Sequence, residues 1–294
     1  MRTRYTGRHV NQDVGDKWYY YYNKINLKLN NTLVLIIILG LNLLCSNTRG
    51  LFMNLINKPL LDQISARIMK TLKAGIQLDM STQESKKLLK RHVNSKTNLV
   101  IMFVDINNST QMSLSLPENK FALIVQTFAQ EISIAVMGYG GYVFKYEGDA
   151  VIVLFPAEYD PTKACKNALN CSRAISEIIK EVLNPVFKIN GLPEITVRIG
   201  LAYGYALVVL YGKSLEEAHI DIVGSSISLA SKIASIAQPN QVLVGESIYN
   251  ILVSSVKNEE LRDIKFKEVN LDPIRWKYLS RSDPKSMYHV YELL

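Results

Sequence analysis

Two aspartates occupy matching positions 44 residues apart, Asp105 in IMFVDINNST and Asp149 in GYVFKYEGDAVIVLFP. Each stands where an apolar, strand-like run gives way to turn residues, so each presents a carboxylate at a strand edge while its neighbours build core. Two such carboxylates can share divalent cations. Hard oxygen ligands with no soft ligand nearby suit Mg²⁺ or Mn²⁺. Taken singly, Asp105 also fits a helix N-cap and Asp149 a plain hairpin-turn residue. The turn Asn107, Asn108, Ser109, Thr110 leads into a helical pattern, where free backbone amides and the helix dipole form an anion site. Ser109 and Thr110 serve equally well there as caps.

The elements that position these groups follow from periodicity. The pattern reads as a strand over 99–105, a helix over 117–137, and a hairpin over 141–155 turning near Gly148. A helix over 161–183, a strand over 195–210, a helix over 223–237 and a strand over 241–245 come next. A last helix over 246–256 and short strands near 264–269 and 287–293 close the chain. The opening βαββαβ order is ferredoxin-like, and the whole predicts an α+β sheet with its helices on one face. Upstream, Leu60, Ile64, Ile68 and Leu72 recur every four residues on one helical stripe. Ser81 with Glu84 makes a capping box for a second helix. That helical region either packs on its own domain or dimerises and relays a signal.

Four stretches, FVDINNST, FKYEGDAVIVLF, VRIGLAYG and DIVGSSISLASKI, stand in this order from residue 103 to residue 233. Together they resemble the catalytic domain of the class III adenylyl and guanylyl (nucleotidyl) cyclases, over about residue 97 to the C-terminus. The resemblance implies that fold, a ferredoxin-like core with an additional C-terminal helix and strands. It also implies conversion of a nucleoside triphosphate to its 3′,5′-cyclic monophosphate and pyrophosphate by two-metal catalysis. Asp105 and Asp149 then match the metal-binding aspartates, with Ile106 adding a backbone carbonyl, and the turn from Asn107 to Thr110 receives triphosphate oxygens. Lys145 and Asp221 fall where adenylyl cyclases read adenine, and guanylyl cyclases typically carry glutamate and cysteine there. ATP is therefore the expected substrate, because lysine donates to a ring nitrogen and a carboxylate accepts from the exocyclic amine. The family's ribose-orienting asparagine and its phosphate-stabilising arginine are replaced by Ser228 and Lys232, which keep the i, i+4 spacing. Lysine offers a point charge in place of a planar fork. A weaker cyclase follows, or a nucleotide-binding or dimerising signalling module. Lys277 is the expected triphosphate contact near the C-terminus, with Lys285 competing, whereas Arg198 and Gly204 are expected to be structural, the glycine allowing close backbone approach. Both half-sites lie on one chain, so a homodimer would form two equivalent sites. A diguanylate cyclase shares the core order, but YEGDA replaces its characteristic turn.

Composition sets the remaining bounds. Of the 294 residues, 48% are hydrophobic and 20% charged, which is globular and excludes wholesale disorder. A net charge of +8 suits an anionic partner such as a nucleotide. The basic residues are dispersed, and the cluster Lys86, Lys87, Lys90, Arg91 reads as a solvated helix face and not a nucleic-acid surface. Three cysteines without metal-ligand spacing fit a reducing cytoplasm, and four scattered histidines give no zinc site or Ser-His-Asp triad. The run LVLIIILGLNLLC at 33–45 is shorter than the ~20 residues of a spanning helix, so membrane anchoring through it is one of several readings. The organisation expected is therefore an N-terminal extension over 1–52, a helical linker or dimerisation region over 53–96, and a catalytic domain over 97–294.

Overall fold

Strand β1 (Lys96–Ile106) is the centre of the molecule, because its run of branched and apolar side chains is buried on both faces. It appears in a computed structural model that describes residues 58–76, 80, 82–213, 218–254, 264–274, 276–280, 283 and 285–294. Every described residue belongs to one compact unit, Ile56–Leu294. The 1–52 extension, the apolar run at 33–45 and Ser81 lie outside the described residues.

Helices α1 (Lys58–Ala74) and α2 (Gln83–Lys90) precede β1. After it come α3 (Ser109–Ser115), α4 (Glu118–Gly138), β2 (Tyr142–Glu147), β3 (Ala150–Pro156) and α5 (Pro161–Ile178). A π-helical turn (Ile179–Leu183) joins α5 to α6 (Asn184–Ile189). The rest is β4 (Val197–Tyr211), β5 (His219–Val223), α7 (Ser225–Ile236), β6 (Val242–Gly245), α8 (Glu246–Ser254), β7 (Phe266–Glu268) and β8 (Val290–Leu293). The sheet order is β2-β3-β1-β4-β6-β8-β7, with β5 paired to β4. Its first four strands are the ferredoxin-like core. Asp160 caps α5 by accepting from the Lys163 amide at 2.8 Å, with Pro161 at the first helical position. The helix runs past its expected end at 183 through the π turn, which falls where Pro185 lacks the N–H for a regular bond.

Alternation along β1 sends its side chains to two cores. Val100, Met102 and Val104 join Val151, Val153 and Phe155 beneath α4, α5 and α8. Leu99 and Ile101 join Ile152 and Leu154 beneath α7, whose Ala230 and Ile233 complete that layer with Ala237 just past its end and Leu89 of α2. This corrects the expected one-sided cover: α7 lies on the opposite face. Gly200 of β4 makes this possible, since a Cβ there would meet Ala230 O at 2.7 Å and Ala234 Cα at 2.6 Å.

Helix α1 is docked on its own domain, with Ile64 and Ile68 buried in the first core. Arg67 clasps the buried Glu131 of α4 with Nε to Oε1 at 3.0 Å and Nη2 to Oε2 at 2.5 Å, and Gln130 Nε2 donates to Thr71 Oγ1 at 2.8 Å. Helix α4 is long and apolar enough to cross a membrane by length and composition, and its Ile124, Phe128, Ile132 and Val136 are buried in this core. The capping box expected for α2 rests on Ser81, which lies outside the described residues. Thr82 stands at its N-cap without a side-chain bond, and Glu84 pairs with Lys87 at 2.6 Å. Lys86, Lys87, Lys90 and Arg91 are exposed, as a solvated helix face requires.

Gly200→Ala should lower unfolding stability by about 1–3 kcal/mol, because a methyl group there pushes on helix backbone and not on a flexible side chain. Urea denaturation followed by circular dichroism measures it.

Candidate functional site

Asp105 is the last but one residue of β1 and pairs across the sheet with Ala150 on one side and Arg198 on the other. Asp149 immediately precedes Ala150 in the two-residue loop between β2 and β3. Gly148 takes the first loop position with φ 63°, as a Gly-first hairpin turn requires. The strand pairing therefore brings the two carboxylates together. Asp105 is a strand residue and not a helix cap. Burial pushes its carboxyl above the usual aspartate range, the Arg198 hydrogen bond opposes this, and the Asp149 charge adds to it. Arg198 Nη2 donates to Asp105 Oδ2, while Arg198 Nε and Asp149 Oδ2 are buried without a hydrogen-bond partner. An orphaned carboxylate oxygen beside a second, mutually repelling carboxylate fits a divalent cation. Among the described residues there is no group of three or more His, Cys, Asp or Glu side chains that could hold a metal. Asp105, Asp149 and the Ile106 carbonyl would hold the ion and leave its remaining positions to water or substrate oxygens. Asn107 and Asn108 follow, Asn108 in the left-handed region at φ 62°, and Ser109 and Thr110 open the seven-residue α3.

The second half of the site lies on the same sheet face. Between Val143 and Lys145 the pairing of β2 with β3 shifts by one residue, a bulge that turns Lys145 toward the α7 side opposite Ile152. Its Nζ donates to Asp221 Oδ2 at 2.5 Å. Asp221 sits on β5, a strand that the sequence reading missed because five residues beside a long partner give almost no periodicity. Burial raises the Asp221 carboxyl, but hydrogen bonds from Lys145 and the Ile222 amide outweigh it and hold the pKa below the ordinary value. His219 Nε2 approaches the same oxygen at 3.4 Å.

A groove of about 330 Å³ runs between β2 and α7. Phe103 and Ile152 form its floor, Lys145 and Glu147 one wall, and Ile227, Ser228, Ser231 and Lys232 the other. The structure thus brings Lys145, Ser228 and Lys232 together, joins Asp221 to them through Lys145, and pairs Asp105 with Asp149. Neither metal-type aspartate lines the groove. Lys277 is exposed beside the buried Trp276 and is not among the residues that line the groove. Sequence reasoning missed Glu147 as a groove residue and missed Arg198, expected to be structural, as the partner of Asp105. Pairing the two strands in register would have exposed Arg198.

The family model described as the adenylate and guanylate cyclase catalytic domain matches residues 92–280, more than half of the chain. This chain belongs to the class III nucleotidyl cyclase family. It is 26% identical over 202 residues to a cytidylate cyclase of Staphylococcus aureus, a match covering 68% of this chain and 47% of that protein. It is 25% identical over 138 residues to adenylate cyclase 1 of Rhizobium meliloti, covering 47% of this chain and 20% of that protein. The chain therefore spans less than half the length of these relatives. In fold it is similar to the adenylyl cyclase CyaB of P. aeruginosa, with TM-score 0.56, 20% identity, and coverage of 68% of this chain and 95% of that one.

Millimolar Mn²⁺ or Mg²⁺ should raise the melting temperature of the wild-type chain, and Asp149→Asn should abolish that rise while making the metal-free protein slightly more stable by relieving repulsion. A thermal-shift titration reads both. The Asp221 contribution to stability should be complete above the ordinary carboxylate range and vanish as pH falls through its depressed pKa. Wild type should consequently exceed Asp221→Asn by roughly 0.5–1 kcal/mol at pH 7, with the gap closing near pH 3, in urea titrations at each pH.

Proposed function

We propose that this cyclase domain converts ATP to 3′,5′-cyclic AMP and pyrophosphate, at two sites formed where two copies of the chain meet. The observation that carries the reading is the Lys145–Asp221 pair at the groove end, one donor and one acceptor at 2.5 Å. Adenine presents the complementary set, an exocyclic amine beside an unprotonated ring nitrogen, whereas guanine presents the inverse. Cytosine shares the adenine pattern. The match to a cytidylate cyclase makes CTP a second reading, and a groove of this width between β2 and α7 is open enough for either base.

Each residue then has a task. Lys145 and Asp221 exchange their mutual bond for bonds to the base. Ser228 faces the ribose, and Lys232 places a positive charge against the reacting phosphate. Arg198, held on Asp105, keeps a positive charge beside the two aspartates. Two divalent cations held by Asp105, Asp149 and the Ile106 carbonyl would supply activation of the 3′-hydroxyl and neutralise charge on the phosphates. A homodimer, in which each site takes its cation half from one copy and its base half from the other, is the arrangement the family resemblance implies for a chain carrying both halves. The cytoplasm, where nucleoside triphosphates are plentiful, is the compartment this activity requires.

The test is incubation of the full chain with ATP, CTP, GTP or UTP and Mn²⁺, with cyclic product resolved by chromatography. Product from ATP that exceeds product from CTP supports the first reading, product mainly from CTP the second, and preference for GTP or UTP sinks both. Asp105→Ala and Lys232→Ala should each be inactive, and mixing them should restore roughly a quarter of wild-type activity, because half the dimers then carry one intact site. Ser228→Asn combined with Lys232→Arg should raise turnover, by up to ~10²-fold where a full transition-state donor is regained.

A further inference from the structure

We infer that Glu147 is a sugar-reading residue, whose carboxylate accepts a hydrogen bond from the 2′-hydroxyl of the bound nucleoside triphosphate. The inference rests on the nucleotide-cyclising reading and adds a residue to it. Glu147 lines the groove opposite Ser228 and Lys232, yet among the described residues its side chain makes no hydrogen bond or ion pair. The Lys232 ammonium is equally unengaged. Two opposite charges therefore face one cavity without meeting, which leaves space between them for a polar group.

Direction along the groove identifies that group. Helix α7 starts against Tyr205, whose carbonyl accepts from Ser226 Oγ at 2.9 Å, and reaches Gly200 at Ala230 and Ala234. It thus runs back along β4, in the same sense as β2, which is antiparallel to β3 as β3 and β4 are to β1. Going from the base end toward the phosphate end, one wall shows Ser228 then Lys232 and the other Lys145 then Glu147. Residues two apart on a strand face share a side and stand about 7 Å apart, close to the step from a base edge to its ribose. With the base at Lys145 and Asp221 and the reacting phosphate at Lys232, the sugar falls beside Glu147. A carboxylate is acceptor-only when ionised, so it selects a hydroxyl donor. Ser228, shorter than the asparagine the family carries, leaves that hydroxyl without a long partner from α7, and Glu147 reaches it from β2.

Glu147 is exposed at the end of β2, so its replacement leaves the cores intact. The experiment measures kcat and KM for ATP and 2′-deoxyATP, and for CTP and 2′-deoxyCTP, with wild type, Glu147→Ala and Glu147→Gln. Calorimetric titration of the full chain with the same nucleotides in Ca²⁺ accompanies it. Glu147→Ala should lose about 10- to 100-fold in kcat/KM and affinity for the ribonucleotide, with the 2′-deoxy analogue unchanged. Glu147→Gln, which keeps an acceptor oxygen, should recover part of the loss. An equal fall for both sugars, or none for either, overturns the inference while leaving the cyclase reading in place. If wild type binds nucleotide without cyclising it, the titration alone decides the role of Glu147 and the cyclase reading falls by itself. Absence of any nucleotide binding overturns both.

Discussion

The double pairing of β1 at Asp105 is the constraint on which the site depends. Ala150 on one side and Arg198 on the other are its cross-strand neighbours, so a one-residue slip of either partner would send a site side chain to the opposite core. The buried alternation of β1 forbids such a slip, since Val100, Met102 and Val104 fill one layer and Leu99 and Ile101 the other. Register thus delivers Asp149 to Asp105 by way of a two-residue turn, and it delivers a guanidinium to the same carboxylate. Three charged groups gathered at one end of a sheet oppose their own burial. The raised Asp105 pKa and the two unpartnered buried atoms record that opposition. Strain of this kind is resolved by charge supplied from outside the chain, which is the condition under which a site holds a cation and a polyanion together.

The same face must leave room for a nucleotide, and there the controlling contact is apolar. Gly200 lets α7 lie directly on β4, and that close approach sets how near Ser228 and Lys232 stand to β2. A larger residue would lift the helix and widen the groove. Catalytic spacing here is consequently tied to a packing contact that carries no charge. The other face answers a different need. Helix α1 is fastened to α4 by the Arg67–Glu131 clasp, in which Glu131 is buried and Arg67 partly exposed.

The fold was legible in the sequence where a segment is long and its burial one-sided or complete. β1, α4, the β2–β3 hairpin and α5 emerge from periodicity with ends shifted by a few residues. Asp105 and Asp149 stood out at the ends of such segments, whereas Lys145, Ser228 and Lys232 were singled out only by the family resemblance; the structure places those three along one groove. What was missed depends on relations between segments. Strand β5 is five residues whose only support is the far arm of β4. The bulge that aims Lys145 leaves no mark in composition, since Phe144 is an ordinary strand residue until its partner strand is known. Arg198 read as structural because its role exists only opposite Asp105. Cover on both faces was hidden because Gly200 looks like any strand glycine until a helix is laid on it.

The Lys145–Asp221 bond bears on selectivity as well as on recognition. On the proposed reading, a base binding here would replace an ion pair at 2.5 Å that is partly sheltered from solvent, gaining only the difference between its own bonds and the pair it breaks. A base with a ring acceptor and an exocyclic amine returns one charge-assisted bond to each partner, each worth about 1.5–3 kcal/mol. A base with the inverse pattern offers a donor to lysine and an acceptor to aspartate. For it the stable outcome is that the pair stays closed and the base stays in water. On the proposed reading, selection against guanine or uracil would need no clash, because the closed pair would already satisfy both groups. On the same reading the pair would not separate adenine from cytosine, and their discrimination would fall to the fit of ring size against Phe103, Ile152 and Ile227 and to the proposed ribose position beside Glu147.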